Sequence, residues 1–206
     1  MVEFRVLELL NARLCHELVS PVGAINNGVE LLDEDDPDFV REAVQLIGQS
    51  ARKAGQRLQF YRFAYGTSAS GAGQAAGSGR ELSEGLLEGG KIKCEWHSEA
   101  ASLPLDWQRL ACNMLVLAAD TLPRGGGIVV RSLRTGQSGI EVTAEAEGVN
   151  VTAELRAALS PSASVDQLTS RTIQAYFTSL VAGQLGAVLT LAEADSKRAV
   201  FRAQPS

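Results

Sequence analysis

Apolar side chains recur at alternating spacings of three and four along the first 65 residues of the chain. The first series consists of Leu7, Leu10, Leu14, Leu18, Val22, Ile25, Val29 and Leu32. After an acidic break at 33–36, the second series consists of Val40, Ala43, Ile47, Ala51, Ala54, Leu58, Tyr61 and Tyr65. This spacing predicts two long amphipathic helices, each with one apolar stripe of the kind found in helical bundles.

A single hairpin of these two helices cannot cover both stripes. The hairpin would be about 40 Å long, at about 1.5 Å per residue, and each stripe would remain half open to water. Two copies packed side by side close a four-helix core. We therefore expect a homodimer in which residues 1–66 of both chains form a four-helix bundle.

A segment rich in Gly, Ser and Ala, residues 67–80, follows the hairpin. Its composition is typical of a flexible linker, and it predicts a second domain over 81–206. Apolar periodicity in that domain predicts helices at 81–88, 104–122, 152–159 and 165–185, and strands at 91–97, 128–134, 140–146, 188–193 and 198–203. Helices on one face of a mainly antiparallel sheet form an α/β sandwich, so the fold class is α+β.

Charge and composition restrict the partners of the chain. The net charge is −5 and no basic patch is present, which argues against nucleic acid as a partner. The longest apolar run, near 110–119, is too short to span a bilayer, and the first residues lack the features of a signal peptide. The three cysteines are scattered without zinc-ligand spacing. These features predict a cytoplasmic protein with no membrane partner.

His16 is one of two histidines in the chain, and its place on the first helix can be worked out from the stripe. With Leu18 at the centre of the stripe, a rotation of about 100° per residue puts His16 about 160° away. His16 should therefore face outward. The residues that share this face are mostly small or polar and form a candidate docking surface for another protein: Arg13, Ser20, Gly23 and Asn27.

The chemistry at His16 suits a phosphoryl acceptor. A neutral imidazole is a good nucleophile toward phosphorus if its second ring nitrogen holds the proton. Glu17 is the nearest carboxylate and can accept the hydrogen bond from that nitrogen, and Ser20, one turn later, can orient a phosphate or a water. Pro21 removes one backbone hydrogen bond and should bend the helix. On geometry alone, a surface histidine beside a glutamate is more often without a function.

The sequence His16-Glu17-x-x-Ser20-Pro21 resembles the H-box of two-component histidine kinases. The wider stretch LCHELVSPVGAINNGVELL is more similar to the ChpT-type histidine phosphotransferases of bacteria. That resemblance implies that His16 accepts the phosphoryl group, that Glu17 is its hydrogen-bonding partner and that Ser20 matches a position that assists hydrolysis in some kinases. Val19 departs from the pattern, because kinases commonly have arginine there.

The resemblance extends to the second domain, which is similar to the ATP-binding domain of these kinases but lacks its key residues. Asn113 matches the first asparagine of the N-box, whereas Leu117 occupies the position of the second, which holds Mg²⁺. A leucine cannot coordinate a hard cation. The stretch 144–151 retains only Gly148 of a box that should contain an aspartate, and 165–177 has no glycine to form a phosphate cradle. We expect a degenerate domain that binds no ATP.

These expectations together predict a phosphotransferase that relays a phosphoryl group and is not an ATP-dependent kinase. The resemblance implies two kinds of partner besides the second copy: the receiver domain of a hybrid histidine kinase and the receiver domains of response regulators. The chain would need no cofactor of its own, since each receiver brings its Mg²⁺.

Two alternatives remain open at this point. The first is an active histidine kinase with a divergent ATP site. The second is a non-catalytic adaptor or inhibitor of a two-component kinase, for which His16 would be dispensable.

Overall fold

The computed structural model describes residues 3–33, 35–66, 77–133 and 139–205. Two long helices form the N-terminal hairpin: α1, Phe4–Glu30, and α2, Pro37–Tyr65. A short 3-10 helix at Leu31–Asp33 ends the first of them. Asp36 caps the second, accepting a hydrogen bond from the backbone N–H of Asp38 at 2.8 Å.

The two helices approach closely at Gly28. A Cβ atom at this position would lie 2.6 Å from Cγ1 of Ile47 and 3.3 Å from the carbonyl oxygen of Ala43. Gly28 and Ala43 are both buried. These small residues therefore set the distance between α1 and α2 near the connection that joins the two helices.

The second domain contains a five-stranded sheet with strand order β1-β2-β3-β5-β4. Its helices and strands are, in chain order, α3 Gly79–Leu87, β1 Ile92–Trp96, α4 Ser98–Ala101, α5 Leu105–Ala119, β2 Gly126–Ser132, β3 Ile140–Glu145, α6 Ala153–Ala158, α7 Ile173–Gln184, β4 Ala187–Ala194 and β5 Arg198–Pro205. Strands β1 and β2 pair in parallel and the other three pairs are antiparallel. Helices α5 and α7 pack against the sheet, which confirms the α+β class.

A glycine run at the start of β2 has a structural role. Gly125 adopts φ +93, and a Cβ atom there would lie 2.5 Å from the carbonyl oxygen of Lys91. The run therefore lets the chain turn beside the segment that leads into β1.

The hairpin and the sandwich share one hydrophobic core. Val6 and Leu9 of α1 and Phe60 and Phe63 of α2 are buried in the same cluster as the apolar residues of α5 and the sheet. At the edge of this cluster, the rings of Tyr65 and Phe177 pack edge to face with centroids 5.2 Å apart. The base of the hairpin is thus fixed against the second domain.

The structure departs from the predicted elements at several places. The predicted linker 67–80 includes the start of α3, where Ser78 and Glu81 form a reciprocal capping box; residues 67–76 lie outside the described part of the chain. The predicted helix 165–185 begins only at Ile173, after a 3-10 helix at Val165–Gln167. Helix α4 was not predicted. No helix within the described ranges is long and apolar enough to cross a membrane.

Candidate functional site

The imidazole of His16 is exposed on α1 and lies at the edge of a cleft. The cleft has a volume of about 920 Å³ and separates α1 from the second domain. From α1 it is lined by Ala12, Arg13, His16 and Glu17. Across from them lie Asp120, Asn150, Thr152, Glu154, Leu155, Gln167, Thr169, Ser170, Arg171 and Thr172. His16 is therefore exposed, as predicted, but it faces a wall built by the other domain.

Arg13 belongs to the junction between the domains, and the expectation that it lies on an open docking face is wrong. Its side chain is only 11% exposed, and its Nη2 donates to Oδ1 of Asp120 at 2.8 Å. Burial raises the pKa of Asp120 above its ordinary value, and the Arg13 charge opposes that shift. Burial alone would lower the pKa of Arg13, yet the charge of Asp120 raises it overall. The ion pair fixes α1 to the end of α5, one turn before His16.

Glu17 points toward α2 and not toward the His16 ring. Its Oε2 lies 3.4 Å from Nη1 of Arg57, and the same nitrogen donates a hydrogen bond to the backbone carbonyl oxygen of Glu17. The predicted hydrogen bond between Glu17 and His16 is not among those formed by the described residues. The carboxylate is adjacent to the imidazole in the chain but is paired with the second helix of the hairpin.

The remaining predicted site residues lie where the helical geometry placed them. Ser20 and Asn27 are exposed, and Gly23 is half-buried with no atom within 4 Å of the position a Cβ would take. Val19, three residues after His16, is also exposed. A surface of little side-chain volume therefore continues beyond His16 along α1.

Comparison with known proteins supports one family. A family model described as the histidine phosphotransferase C-terminal domain matches residues 77–197. The protein phosphotransferase ChpT of Brucella abortus (strain 2308) is 32% identical over 198 residues, which cover 95% of this chain and 93% of that protein. The chain belongs to the histidine phosphotransferase family.

One solved structure agrees with that assignment. A structure described as a bacterial phosphotransferase matches this phosphotransferase with a TM-score of 0.77 and 28% identity, over 98% of this chain and 97% of that one. The blue-light activated histidine kinase of Erythrobacter litoralis EL346 is a weaker match, with a TM-score of 0.43 and 12% identity over 93% of this chain and 59% of that one.

Asn113 of this phosphotransferase is a fully buried structural amide. Its Nδ2 donates to the carbonyl oxygens of Ala64 at 2.7 Å and Arg109 at 2.9 Å. Its Oδ1 accepts from Nε2 of Gln174 at 3.1 Å. Leu117, one turn later, is also fully buried in the core. Asn113 therefore joins α2, α5 and α7, and both positions that the resemblance aligns with the N-box are enclosed by the core.

The segments that the resemblance aligns with the other nucleotide boxes also form hydrogen bonds within the fold. The backbone N–H of Gly148 donates to the carbonyl oxygen of Ser196 at 2.8 Å, and that of Asn150 donates to the carbonyl oxygen of Thr121 at 2.9 Å. Before α7, Oγ1 of Thr172 accepts from the backbone N–H of Thr169 at 3.0 Å. Within the described ranges, no group of three or more His, Cys, Asp or Glu residues could hold a metal ion.

Three features of this site were not predicted. Asp120 and Arg57 contact α1 from 107 and 40 residues away in the chain, respectively, so no local pattern identifies either residue. The hydroxyl-rich turn 169–172 was predicted to be helical. One clue to Arg57 was available, because a proline inside a helix leaves a carbonyl oxygen in need of a donor.

Proposed function

We propose that this phosphotransferase relays a phosphoryl group between receiver-domain aspartates through His16, without using ATP. The observation on which the proposal rests is the exposed imidazole of His16 on a long helix that is fixed to the second domain. Family membership supports phosphotransfer. The acceptor residue, the receiver partners and the independence of ATP are our inference.

The reaction is an in-line exchange. A ring nitrogen of His16 attacks the phosphorus of an aspartyl phosphate, the bond from phosphorus to the carboxylate oxygen breaks, and the carboxylate leaves with the electron pair. The other ring nitrogen keeps its proton. The same steps in reverse pass the group to a second receiver, and Mg²⁺ bound by each receiver neutralises the charge on the moving phosphoryl group.

Independence of ATP is supported by the residues at two positions that the resemblance aligns with the nucleotide site of the kinases. Leu117 has no ligand atom for a metal ion and is enclosed by the core. Asn113 uses its amide within the fold. A nucleotide site in this place would require both positions to be rebuilt.

Homodimerisation through the hairpin is the second part of the proposal. Several apolar side chains of the hairpin are about half exposed in the single chain: Val22 at 47%, Val29 at 51%, Val44 at 58% and Leu58 at 50%. Val22, Val29 and Leu58 belong to the two apolar stripes, and Val44 follows Ala43 of the second stripe in the chain. A second copy packed here would remove this apolar surface from water. Each Å² of apolar surface that is buried contributes about 25 cal/mol of favourable free energy.

A two-arm labelling experiment tests the relay. The protein is incubated with labelled ATP and Mg²⁺ in one arm, and with the labelled phosphorylated receiver domain of a hybrid kinase in the other. We expect acid-labile label on the protein only in the second arm, followed by its loss to an added response-regulator receiver. Label from ATP alone would support the kinase alternative, and no label from either donor would support the adaptor.

A further inference from the structure

Pro21 leaves one backbone carbonyl of α1 without its helical partner. Proline has no N–H to donate to the carbonyl oxygen four residues earlier, and that residue is Glu17. Pro21 lies inside α1 and is buried. The free carbonyl is therefore in the turn that also contains His16.

Arg57 of α2 supplies the missing donor. Its Nη1 donates to the Glu17 carbonyl oxygen and lies 3.4 Å from the Glu17 carboxylate. The two side chains are 31% and 29% exposed, so water competes for these contacts only in part. One guanidinium thus binds both the main chain and the side chain of the residue that follows His16.

Two consequences follow for His16. The hydrogen bond spans the gap that Pro21 makes in the helix and fixes the direction of the turn that presents the imidazole. The positive charge also neutralises Glu17, which would otherwise place a bare carboxylate beside an incoming phosphoryl dianion.

We infer that Arg57 is a positioning residue for phosphotransfer through His16, acting by binding the Glu17 carbonyl freed by Pro21 and the Glu17 carboxylate. The inference rests on the proposed function of His16. Arg57 touches no reacting atom, and its effect reaches the imidazole through Glu17.

The test uses four single variants and one double variant of the full chain. Arg57→Met removes the donors and the charge at similar volume, and Arg57→Lys keeps one donor and the charge. Arg52→Met is the matched control, because Arg52 lies exposed on the same helix. Pro21→Ala restores an N–H that can bond to the Glu17 carbonyl. The rate of phosphoryl uptake is measured from a phosphorylated receiver and from a small phosphoramidate donor, which needs no docking surface.

We expect Arg57→Met to slow uptake from both donors roughly tenfold, which corresponds to about 1.4 kcal/mol. Arg57→Lys should be intermediate, and Arg52→Met should equal the parent. In the Pro21→Ala background the same Arg57→Met change should slow uptake less than about threefold, since the restored N–H replaces the lost donor. A general loss of folding would not be relieved in this selective way.

Two results would overturn the inference while leaving the relay intact. One is an Arg57→Met protein that takes up phosphate at the parental rate. The other is an equal loss in the presence and absence of Pro21. A parent protein that takes no phosphate from either donor would instead contradict the proposed function itself, and this inference with it.

Discussion

Replacing Asn113 by leucine tests whether its buried side-chain amide holds the hairpin and the second domain together. The change keeps a similar volume but removes the donor to the Ala64 carbonyl oxygen, 2.7 Å away, and the acceptor of Gln174, 3.1 Å away. Ala64 lies in the last turn of α2, where carbonyl oxygens have no helical partner. Gln174 retains its contacts with Thr178 and with the backbone oxygen at position 113.

The main loss is the donor to the Ala64 carbonyl oxygen, because Gln174 keeps other acceptors. Leaving a buried donor or acceptor unpaired costs about 1–3 kcal/mol, so the free energy of unfolding should fall by about 1–3 kcal/mol. In a chain of this size each kcal/mol shifts Tm by about 2–4 °C, so Tm should fall by about 2–12 °C. Thermal unfolding followed by circular dichroism at a fixed protein concentration measures the shift.

Asn150→Leu is the control, since Asn150 is exposed and its replacement should change Tm by no more than about 1–2 °C. If Asn113→Leu unfolds at the parental temperature, the network does not bind α2 to the second domain and the structural role assigned to Asn113 is refuted.

Three further predictions concern the dimer, the docking face and pH. Val22→Asp should convert the protein to a monomer in sedimentation experiments, since burying a charge in the interface costs several kcal/mol. The control variant Val19→Asp should remain dimeric, and a dimeric Val22→Asp variant would place the interface elsewhere. Gly23→Trp should block transfer from a phosphorylated receiver but not from a small donor, and undiminished transfer from the receiver would show that the partner approaches by another face. Burial raises the pKa of Tyr65 to about 12, so the stability contributed by its neutral phenol is present in full below about pH 10 and is lost as pH rises through about 12. Between about pH 10 and 12 the free energy of unfolding of Tyr65→Phe, measured by chemical unfolding, should therefore fall less than that of the parent. Equal losses would contradict a raised pKa for Tyr65.

Much of the fold could be predicted because its elements have simple periodicity. The stripes of α1 and α2 repeat for several turns, and Ile140, Val142 and Ala144 alternate along β3 as a strand requires. The prediction was wrong for the segment before α7, which was expected to belong to the helix. Val165, Leu168 and Thr172 are buried at helical spacing, but the hydroxyl of Thr172 bonds to the backbone of Thr169 and starts the helix later.

The site was predictable only as far as one helix determines it. The direction of His16 follows from its angle to Leu18, and the exposure of Ser20 and Asn27 follows from the same rotation. The environment of Arg13 does not, because its partner Asp120 comes from the other domain. A side chain that points away from the hairpin seam reaches solvent only if no other part of the chain packs there.

Identifying the phosphorylated residue tests the central claim most directly. The protein, its His16→Gln variant and its His97→Gln variant are each treated with a phosphorylated receiver and analysed by phosphorus NMR and by peptide mapping under alkaline conditions. His97 is the matched control. It lies at the start of α4, where its Nε2 accepts a hydrogen bond from Nε of Arg131 at 3.3 Å, and it does not line the cleft. We predict one phosphoramidate, on His16, in the parent and in His97→Gln, and none in His16→Gln. A phosphorylated His16→Gln protein would contradict the account.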